Sequence, residues 1–224
     1  MRDKVGRKIG RSVIMRETNP LYGISAAIMR GILKLGVNFG YRPKIVYENK
    51  AVKKYIKKHP VIFTPNHGNY KDGPVIYFKF PRCALMIAKD WYEHKGIRWV
   101  TYSKDAIPLD RTGLDTGWLR SAVSMIKDGK NVLIFPEGHT TDDGEIDKFK
   151  AGFIMLSVMT GAPVVPMYID GEFHPFLGKR LKIYVGDLEN LTEEGKSLNS
   201  DYMEKECNRF RNILIEMKEN YSTK

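Results

Sequence analysis

Apolar and polar residues follow two different periods along the chain, and each period predicts a different kind of element. Short apolar runs bounded by polar or turn residues predict buried strands. These runs cover residues 61–64, 82–88, 106–109, 131–135, 164–169 and 181–185. Apolar residues three and four positions apart predict amphipathic helices instead. The predicted helices cover residues 21–35, 52–58, 115–127 and 149–159, a helix opening at residues 75–78, and a C-terminal helix through residues 203–217.

The order of these elements predicts the fold class. Strands that alternate with helices are typical of an α/β domain, so we expect a mostly parallel or mixed sheet flanked by helices. A chain of 224 residues is of ordinary size for one domain. We therefore predict an α/β domain over residues 43–224, preceded by a basic amphipathic helical segment over residues 1–42, with Gly36 and Gly40 able to end its helix.

The stretch from Asn66 to Pro74 places a histidine and an aspartate where a strand ends and a helix begins. Ligands of open α/β sheets bind at that edge. Five positions apart on one helix, His67 and Asp72 would face different ways, but a turn can fold the carboxylate back to the imidazole. The pair would then be a general base with a group that fixes its tautomer. The simpler alternative is a structural histidine and an Asp72 that caps the following helix.

Three further predicted strands end in polar residues. Lys89 follows the second strand, Arg111 the third, and Glu137-Gly138 the fourth. Because parallel strands bring their carboxyl ends to one edge of a sheet, these residues are candidates for the same site as His67.

The order of these blocks resembles the glycerolipid acyltransferase family, whose best-known class acylates 1-acylglycerol 3-phosphate. The family's first motif, His-x4-Asp, is met by His67 and Asp72. Its second block, an Ile-x-Asp-like run that ends in Arg, resembles residues 107–111. Its third, Phe-Pro-Glu-Gly-Thr-Arg-Ser, resembles residues 135–141, and its fourth, a Val-Pro in an apolar strand, resembles Val165-Pro166.

The resemblance implies an acyltransferase that moves a fatty acyl group from a thioester to the hydroxyl of a lysophospholipid in phospholipid synthesis. His67 would take the hydroxyl proton, and Asp72 would orient it. The side chain of Lys89 and the backbone N–H of Gly138 are candidates to bind the oxyanion. No Gly-x-Ser-x-Gly elbow occurs in the chain, so we expect direct transfer without an acyl-enzyme.

Arg111, Glu137 and Lys150 are the candidates for acceptor binding. The guanidinium of Arg111 suits a phosphate, although a salt bridge to Asp110 or Glu137 is an open alternative. Glu137 could accept hydrogen bonds from glycerol hydroxyls, which we favour, or pair with Arg111 as an internal strut.

Two departures from the family pattern affect the acceptor. Asn69 stands where the first motif usually has Ser, and the third motif reads His-Thr-Thr at residues 139–141 in place of Thr-Arg-Ser. The resemblance implies that the family's Arg at this place helps to bind the acceptor's phosphate. Here Thr140 takes its place, so Arg111, Lys150 or His139 would have to supply the charge, or the acceptor is a different lysolipid or alcohol.

We expect no cofactor and no metal, with acyl-CoA or an acyl-carrier-protein thioester as co-substrate. The competing class is a metal-dependent hydrolase, because His67, Asp72, Glu137 and His139 are all of metal-ligand type. The two cysteines, Cys83 and Cys207, fall on apolar positions and are expected in the core.

Charge is distributed unevenly. The net charge is +11; residues 1–58 hold 15 Lys and Arg against three Asp and Glu, and the remainder holds 22 against 23. A basic segment beside an amphipathic helix is typical of a membrane-surface anchor. No stretch is long and apolar enough for a transmembrane helix. We expect a peripheral protein on an anionic membrane at its cytoplasmic face, with docking of an acidic acyl carrier protein as the alternative.

No familiar nucleic-acid motif is present, so a nucleic-acid-binding role is not favoured.

Overall fold

The structure, a computed structural model, describes residues 20–88, 105–109, 117–141, 144–171, 173, 180–191 and 199–222, with side chains from residue 27 onward. Within these ranges lie six α-helices, one π-helical segment and seven strands. The helices are α1 (Pro20–Leu35), α2 (Lys50–Lys58), α3 (Asp72–Lys79), α4 (Gly117–Lys127), α5 (Gly152–Thr160) and α6 (Ser200–Tyr221), and the π-helical segment is Gly36–Tyr41. The strands are β1 (Lys44–Tyr47), β2 (Ile62–Pro65), β3 (Cys83–Ala88), β4 (Ala106–Leu109), β5 (Asn131–Leu133), β6 (Val164–Asp170) and β7 (Lys182–Val185).

All seven strands form one mixed sheet in the order β1-β7-β6-β2-β5-β3-β4. The five strands from β6 to β4 run parallel to one another. Strand β7 is antiparallel to β6, and β1 is parallel to β7. The carboxyl ends of β2 and its neighbour β5 therefore meet at the same edge of the sheet, with β3 and β4 beyond β5. Ligands bind at this edge in open α/β sheets.

Successive residues of each strand face opposite sides of the sheet, and the two sides carry separate cores. On one side, Phe63 and Leu133 pack with residues of α2, α3 and the π-helical segment. On the other side, Ile62 and Val132 pack with residues of α4, α5 and α6. The short central strands are buried on both faces, which explains why they read as continuous apolar runs.

The predicted α/β class with a mixed sheet is confirmed, and most predicted elements appear within a few residues of their expected ends. The structure adds β1, which the sequence did not predict. The first helix ends at Leu35, directly before Gly36, as predicted. At Gly36 and Gly40 the chain continues as the π-helical segment, which ends at Arg42 with φ of 47°.

The N-terminal elements are joined to the domain. Val37 of the π-helical segment is buried in the core next to α3, and Nζ of Lys79, at the end of α3, donates to Oδ1 of Asn38 at 2.6 Å. The domain boundary expected at residue 42 therefore separates residues that pack together. No helix in the described part of the chain is long and apolar enough to cross a membrane.

Candidate active site

The turn between β2 and α3 brings His67 and Asp72 together. Nδ1 of His67 lies 3.2 Å from Oδ2 of Asp72, and the same carboxylate oxygen accepts the backbone N–H of Asn69 at 2.8 Å. The backbone N–H of Asp72 donates to the carbonyl of Asn69 at 3.0 Å, which closes the turn. Asp72 is the first residue of α3, and Lys71 occupies the cap position. The alternative role of Asp72 as the helix cap is therefore wrong.

Burial distinguishes the two members of this pair. The side chain of Asp72 is 2% exposed and that of His67 is 14% exposed. Burial raises the pKa of the Asp72 carboxyl, while the hydrogen bonds from His67 and from the backbone of Asn69 and Gly68 oppose that rise. A carboxylate at Nδ1 favours the tautomer with hydrogen on Nδ1, so Nε2 keeps the lone pair that can take a proton.

The loop after β5 lies directly against His67. The ring of Phe135 stacks on the imidazole with 3.8 Å between centroids and 21° between planes. Oε1 of Glu137 accepts the backbone N–H of His67 at 2.9 Å, and the carbonyl of His67 accepts the N–H of Thr141 at 2.9 Å. The first and third sequence motifs are therefore joined by direct contacts on both sides of the histidine.

Glu137 is buried, with 1% exposure. Its second oxygen, Oε2, accepts the backbone N–H of Asp147 at 3.1 Å. Burial raises the pKa of the Glu137 carboxyl, and the hydrogen bonds from the backbone of Asp147 and His67 oppose that rise. Both carboxylate oxygens are therefore engaged by backbone groups, while the contact with acceptor hydroxyls that the sequence favoured stays a prediction.

The turn at Gly138 has a positive φ of 78°, which glycine adopts without strain. Its backbone N–H donates to the carbonyl of Phe135 at 3.2 Å. In this structure the N–H is therefore engaged inside the turn, and its donation to an oxyanion stays a prediction. Lys150 crosses the open side of the same turn, with Nζ 2.7 Å from the point where a Cβ atom on Gly138 would stand.

Two candidates for phosphate binding, His139 and Lys150, have different surroundings. Nδ1 of His139 lies 3.1 Å from the carbonyl of Glu137, and its Nε2 lies 3.1 Å from Oδ2 of Asp147. Both ring nitrogens of His139 are thus taken up locally. Lys150 is exposed and extends over the loop that holds His67. The remaining candidates, Lys89 and Arg111, lie outside the described residues, so their roles stay predictions.

Sequence reasoning missed two residues that shape the site. The side-chain amide of Asn66 pairs with the backbone of Ile169, with Oδ1 accepting its N–H at 2.7 Å and Nδ2 donating to its carbonyl at 3.3 Å. This pairing ties the end of β2 to β6. Nζ of Lys71 lies 5.7 Å from the ring centroid of Tyr41 and 5.9 Å from that of Phe173. A polar amide directly after a buried strand was the available signal for Asn66, whereas Tyr41 and Phe173 reach Lys71 from distant segments.

A family profile described as Acyltransferase matches residues 44–170, which is more than half of the chain and contains β1 to β6 with every residue of the site. The chain belongs to the acyltransferase family. This confirms the family resemblance carried by the four sequence blocks.

Curated members of this family are similar to the chain over about half of its length. A 1-acyl-sn-glycerol-3-phosphate acyltransferase of Cocos nucifera is 29% identical over 114 residues, which are 49% of this chain and 37% of that protein. A chloroplastic 1-acyl-sn-glycerol-3-phosphate acyltransferase of Brassica napus is 32% identical over 114 residues, 50% of this chain and 33% of that protein. The aligned part of the chain therefore covers between a third and two fifths of these relatives.

A crystal structure of the 1-acyl-sn-glycerophosphate (LPA) acyltransferase from Thermotoga maritima has the same fold. The two structures superpose with a TM-score of 0.59 at 22% sequence identity, and the match covers 96% of this chain and 88% of that one.

In the part of this acyltransferase-family chain that the structure describes, no three His, Cys, Asp or Glu side chains come together in a group able to hold a metal ion.

Proposed function

We propose that this protein transfers a fatty acyl group from a thioester donor to the hydroxyl of a lysophospholipid such as 1-acylglycerol 3-phosphate, as a step in phospholipid synthesis. The observation that carries the proposal is the pairing of His67 with Asp72 at the sheet edge, 3.2 Å apart, beside the loop after β5. The names of the two relatives give the same acceptor for those proteins.

In the proposed reaction, Nε2 of His67 takes the proton of the acceptor hydroxyl as its oxygen attacks the thioester carbonyl carbon. The carbon–sulfur bond of the tetrahedral intermediate then breaks. The thiolate leaves and receives the proton from the imidazolium, which returns His67 to its starting state. The adjacent Asp72 carboxylate stabilises the imidazolium between these two steps. General-base assistance of this kind contributes about 10²–10⁴-fold to the rate.

Lys150 is the described residue best placed to attract an acceptor phosphate. The family's Arg in the third motif is replaced by Thr140, and His139 is engaged with Asp147. The ammonium of Lys150 lies over Gly138, in the same loop that contacts His67. Arg111 as a second phosphate ligand and Lys89 as an oxyanion donor remain part of the proposal.

We further propose that the protein acts as a peripheral protein at an anionic membrane surface, on its cytoplasmic face. Four apolar side chains are exposed on α1 and the π-helical segment, and we call them the apolar row: Ile28, Ile32, Leu35 and Phe39, with exposures of 59%, 55%, 57% and 68%. Exposed apolar groups in a continuous row are typical of an interaction surface.

A basic surface lies on the same side of the sheet. Four exposed lysines of α2 form what we call the lysine face: Lys50, Lys53, Lys54 and Lys57. The opposite side of α2 buries Val52 and Ile56 in the core that also contains Val37. The lysine face and the apolar row therefore belong to the same layer of helices. An anionic bilayer offers partners for both surfaces.

The test is a lipid-product assay with the purified protein. Each of several acceptors, with and without a phosphate monoester, is offered with acyl-CoA and with acyl carrier protein as the donor. We expect acylation of 1-acylglycerol 3-phosphate. Acylation of another lysolipid or of an alcohol alone would reassign the acceptor, and the absence of any acyl product with both donors would contradict the proposal.

A further inference from the structure

The carboxylate of Glu137 is a buried charge with two backbone partners. It accepts the N–H of His67 at 2.9 Å through one oxygen and the N–H of Asp147 at 3.1 Å through the other, and it is 1% exposed. Burying a carboxylate is costly unless hydrogen bonds compensate for the lost water. The compensation here comes from two segments that are separated in sequence, so the carboxylate bridges them.

The main chain of His67 is fixed on both of its polar groups. Its N–H donates to Glu137, and its carbonyl accepts the N–H of Thr141 at 2.9 Å. Both partners lie in the loop after β5, and Phe135 of that loop stacks on the imidazole. The position of the histidine backbone is therefore set by the loop after β5 together with its own turn.

The other end of the bridge is held by the C-terminal helix. Nε of Arg211, on α6, donates to the carbonyl of Ile146 at 3.0 Å and to that of Asp147 at 3.2 Å. Nζ of Lys218, two turns further along α6, lies 2.9 Å from Oε1 of Glu145. These contacts make residues 145–147 a fixed support for the N–H group that Glu137 accepts.

We infer that Glu137 is a positioning residue, which holds the backbone of His67 at the geometry that proton abstraction requires and does not itself bind the acceptor. The inference rests on the proposed function, because it assigns a role within that reaction. A shift of about 1 Å at a reacting group costs on the order of 10²-fold in rate, so a fixed backbone at the base has a measurable effect.

Glu137→Gln tests the inference with a nearly isosteric change. The amide has only one acceptor oxygen, so one of the two backbone N–H groups must face the NH₂ group. We expect kcat to fall by about 10²-fold with the acceptor KM unchanged. A rise in acceptor KM at constant kcat would overturn the inference and show that Glu137 binds the acceptor. An unchanged kcat together with an unchanged KM would also overturn it.

Asn131→Ala is the matched control. Asn131 is a buried side chain that joins backbone groups at the opposite edge of the sheet: its Oδ1 accepts the N–H of Val61 at 3.0 Å, and its Nδ2 donates to the carbonyl of Pro81 at 2.7 Å. Its removal should lower Tm while leaving kcat per folded molecule unchanged. If both variants lowered kcat equally, the loss would reflect general destabilisation, and the positioning role would be wrong.

Amide hydrogen exchange in the unaltered protein gives a readout that does not depend on the variant folding. The amides of His67 and Asp147 should be strongly protected, whereas that of the exposed Gly144 should exchange rapidly. Exchange of the His67 amide as fast as that of Gly144 would overturn the inference. Failure of the proposed function is seen separately, because the unaltered protein would then give no acyl product while its exchange pattern stayed as expected.

Discussion

Oδ2 of Asp72 accepts the backbone N–H of Asn69 at 2.8 Å and also lies 3.2 Å from Nδ1 of His67. One carboxylate oxygen thus closes the turn and orients the imidazole. The turn cannot open without releasing the ring. The five-residue spacing is therefore a consequence of the turn geometry, since a continuous helix would place these side chains on different faces.

Replacing His67 with alanine should abolish transfer and leave the fold intact. The stacking of the imidazole on Phe135 is lost but no core side chain is removed, whereas the base that takes the hydroxyl proton is eliminated. We expect kcat/KM to fall by about 10²–10⁴-fold, measured by product formation on the best substrate pair. The circular dichroism spectrum and Tm should change little. Turnover close to that of the unaltered protein would contradict the role of His67.

Asp72→Asn should change stability in a pH-dependent way. The pKa of Asp72 is raised by burial. As pH rises above about 4, the unfolded carboxyl therefore loses its proton before the folded one does. The contribution of this carboxyl to the free energy of unfolding therefore falls as pH rises through its folded pKa. The asparagine side chain does not ionise, so the Tm of the variant minus that of the unaltered protein should increase from acid to neutral pH.

Activity gives the contrasting readout for the same variant. An asparagine cannot stabilise the imidazolium or enforce the productive tautomer, so kcat should fall by about 10²-fold or more at neutral pH. A variant that gains relative thermal stability with pH yet loses turnover would show that the carboxylate serves catalysis at a cost in stability. A difference in Tm that decreases with pH would contradict the direction of the Asp72 pKa shift.

The sequence could identify the pairing of His67 with Asp72 because the signal is local. The two residues share one turn between an apolar run and a helix, and few conformations of such a turn are open. The role of Glu137 could not be predicted in this way. It depends on the N–H of Asp147, ten residues later, which returns to the site only because α6 holds that loop.

The same distinction between local and distant signals explains the errors in the fold. Strand β1 has only four residues, Lys44–Tyr47, and it exists because it pairs with Lys182–Val185 far along the chain. Each of its residues is exposed or partly exposed, so β1 lacks the continuous buried apolar run that marks the equally short β2. The end of the first helix before Gly36 was predictable from the glycine, whereas the π-helical segment beyond it depends on burial of Val37 and Gly40 against the domain, which propensity alone does not show.

Lys150→Ala should raise the acceptor KM when the acceptor carries a phosphate monoester. A hydrogen bond to a charged group contributes about 1.5–3 kcal/mol, so we expect a tenfold or larger rise with little change in the donor KM. The matched control is Lys148→Ala, because Lys148 is exposed two positions away. Equal effects of the two variants, or an equal rise with a phosphate-free acceptor, would contradict phosphate binding by Lys150.

Direct transfer predicts that no acyl group becomes attached to the protein. Burial raises the pKa of the Cys207 thiol to about 11, and burial also raises that of Cys83, so neither thiol is a ready nucleophile at neutral pH. Incubation with the thioester donor alone should leave the intact mass unchanged. A stable adduct of one acyl group on the purified protein would show a covalent intermediate.

The membrane proposal predicts two separable contributions to vesicle binding. The protein should sediment with vesicles that contain anionic lipid and should be partly released by salt, because salt screens charge attraction but does not weaken apolar insertion. Ile28→Glu should weaken the salt-resistant part. Its control is Met159→Glu, since Met159 is similarly exposed at 54% but lies on α5, on the other side of the sheet.

Replacing three residues of the lysine face with glutamine should weaken the salt-sensitive part instead: Lys53, Lys54 and Lys57. Each base near an anionic leaflet contributes about 1 kcal/mol, so binding at low salt should fall by on the order of 10²-fold. The matched control removes three exposed bases from α4 and α6 on the other side of the sheet: Arg120, Lys127 and Lys205. Equal losses in the two variants would show a response to net charge alone. Failure of the unaltered protein to bind either anionic or neutral vesicles would contradict membrane docking and favour an acidic acyl carrier protein as the partner of these bases.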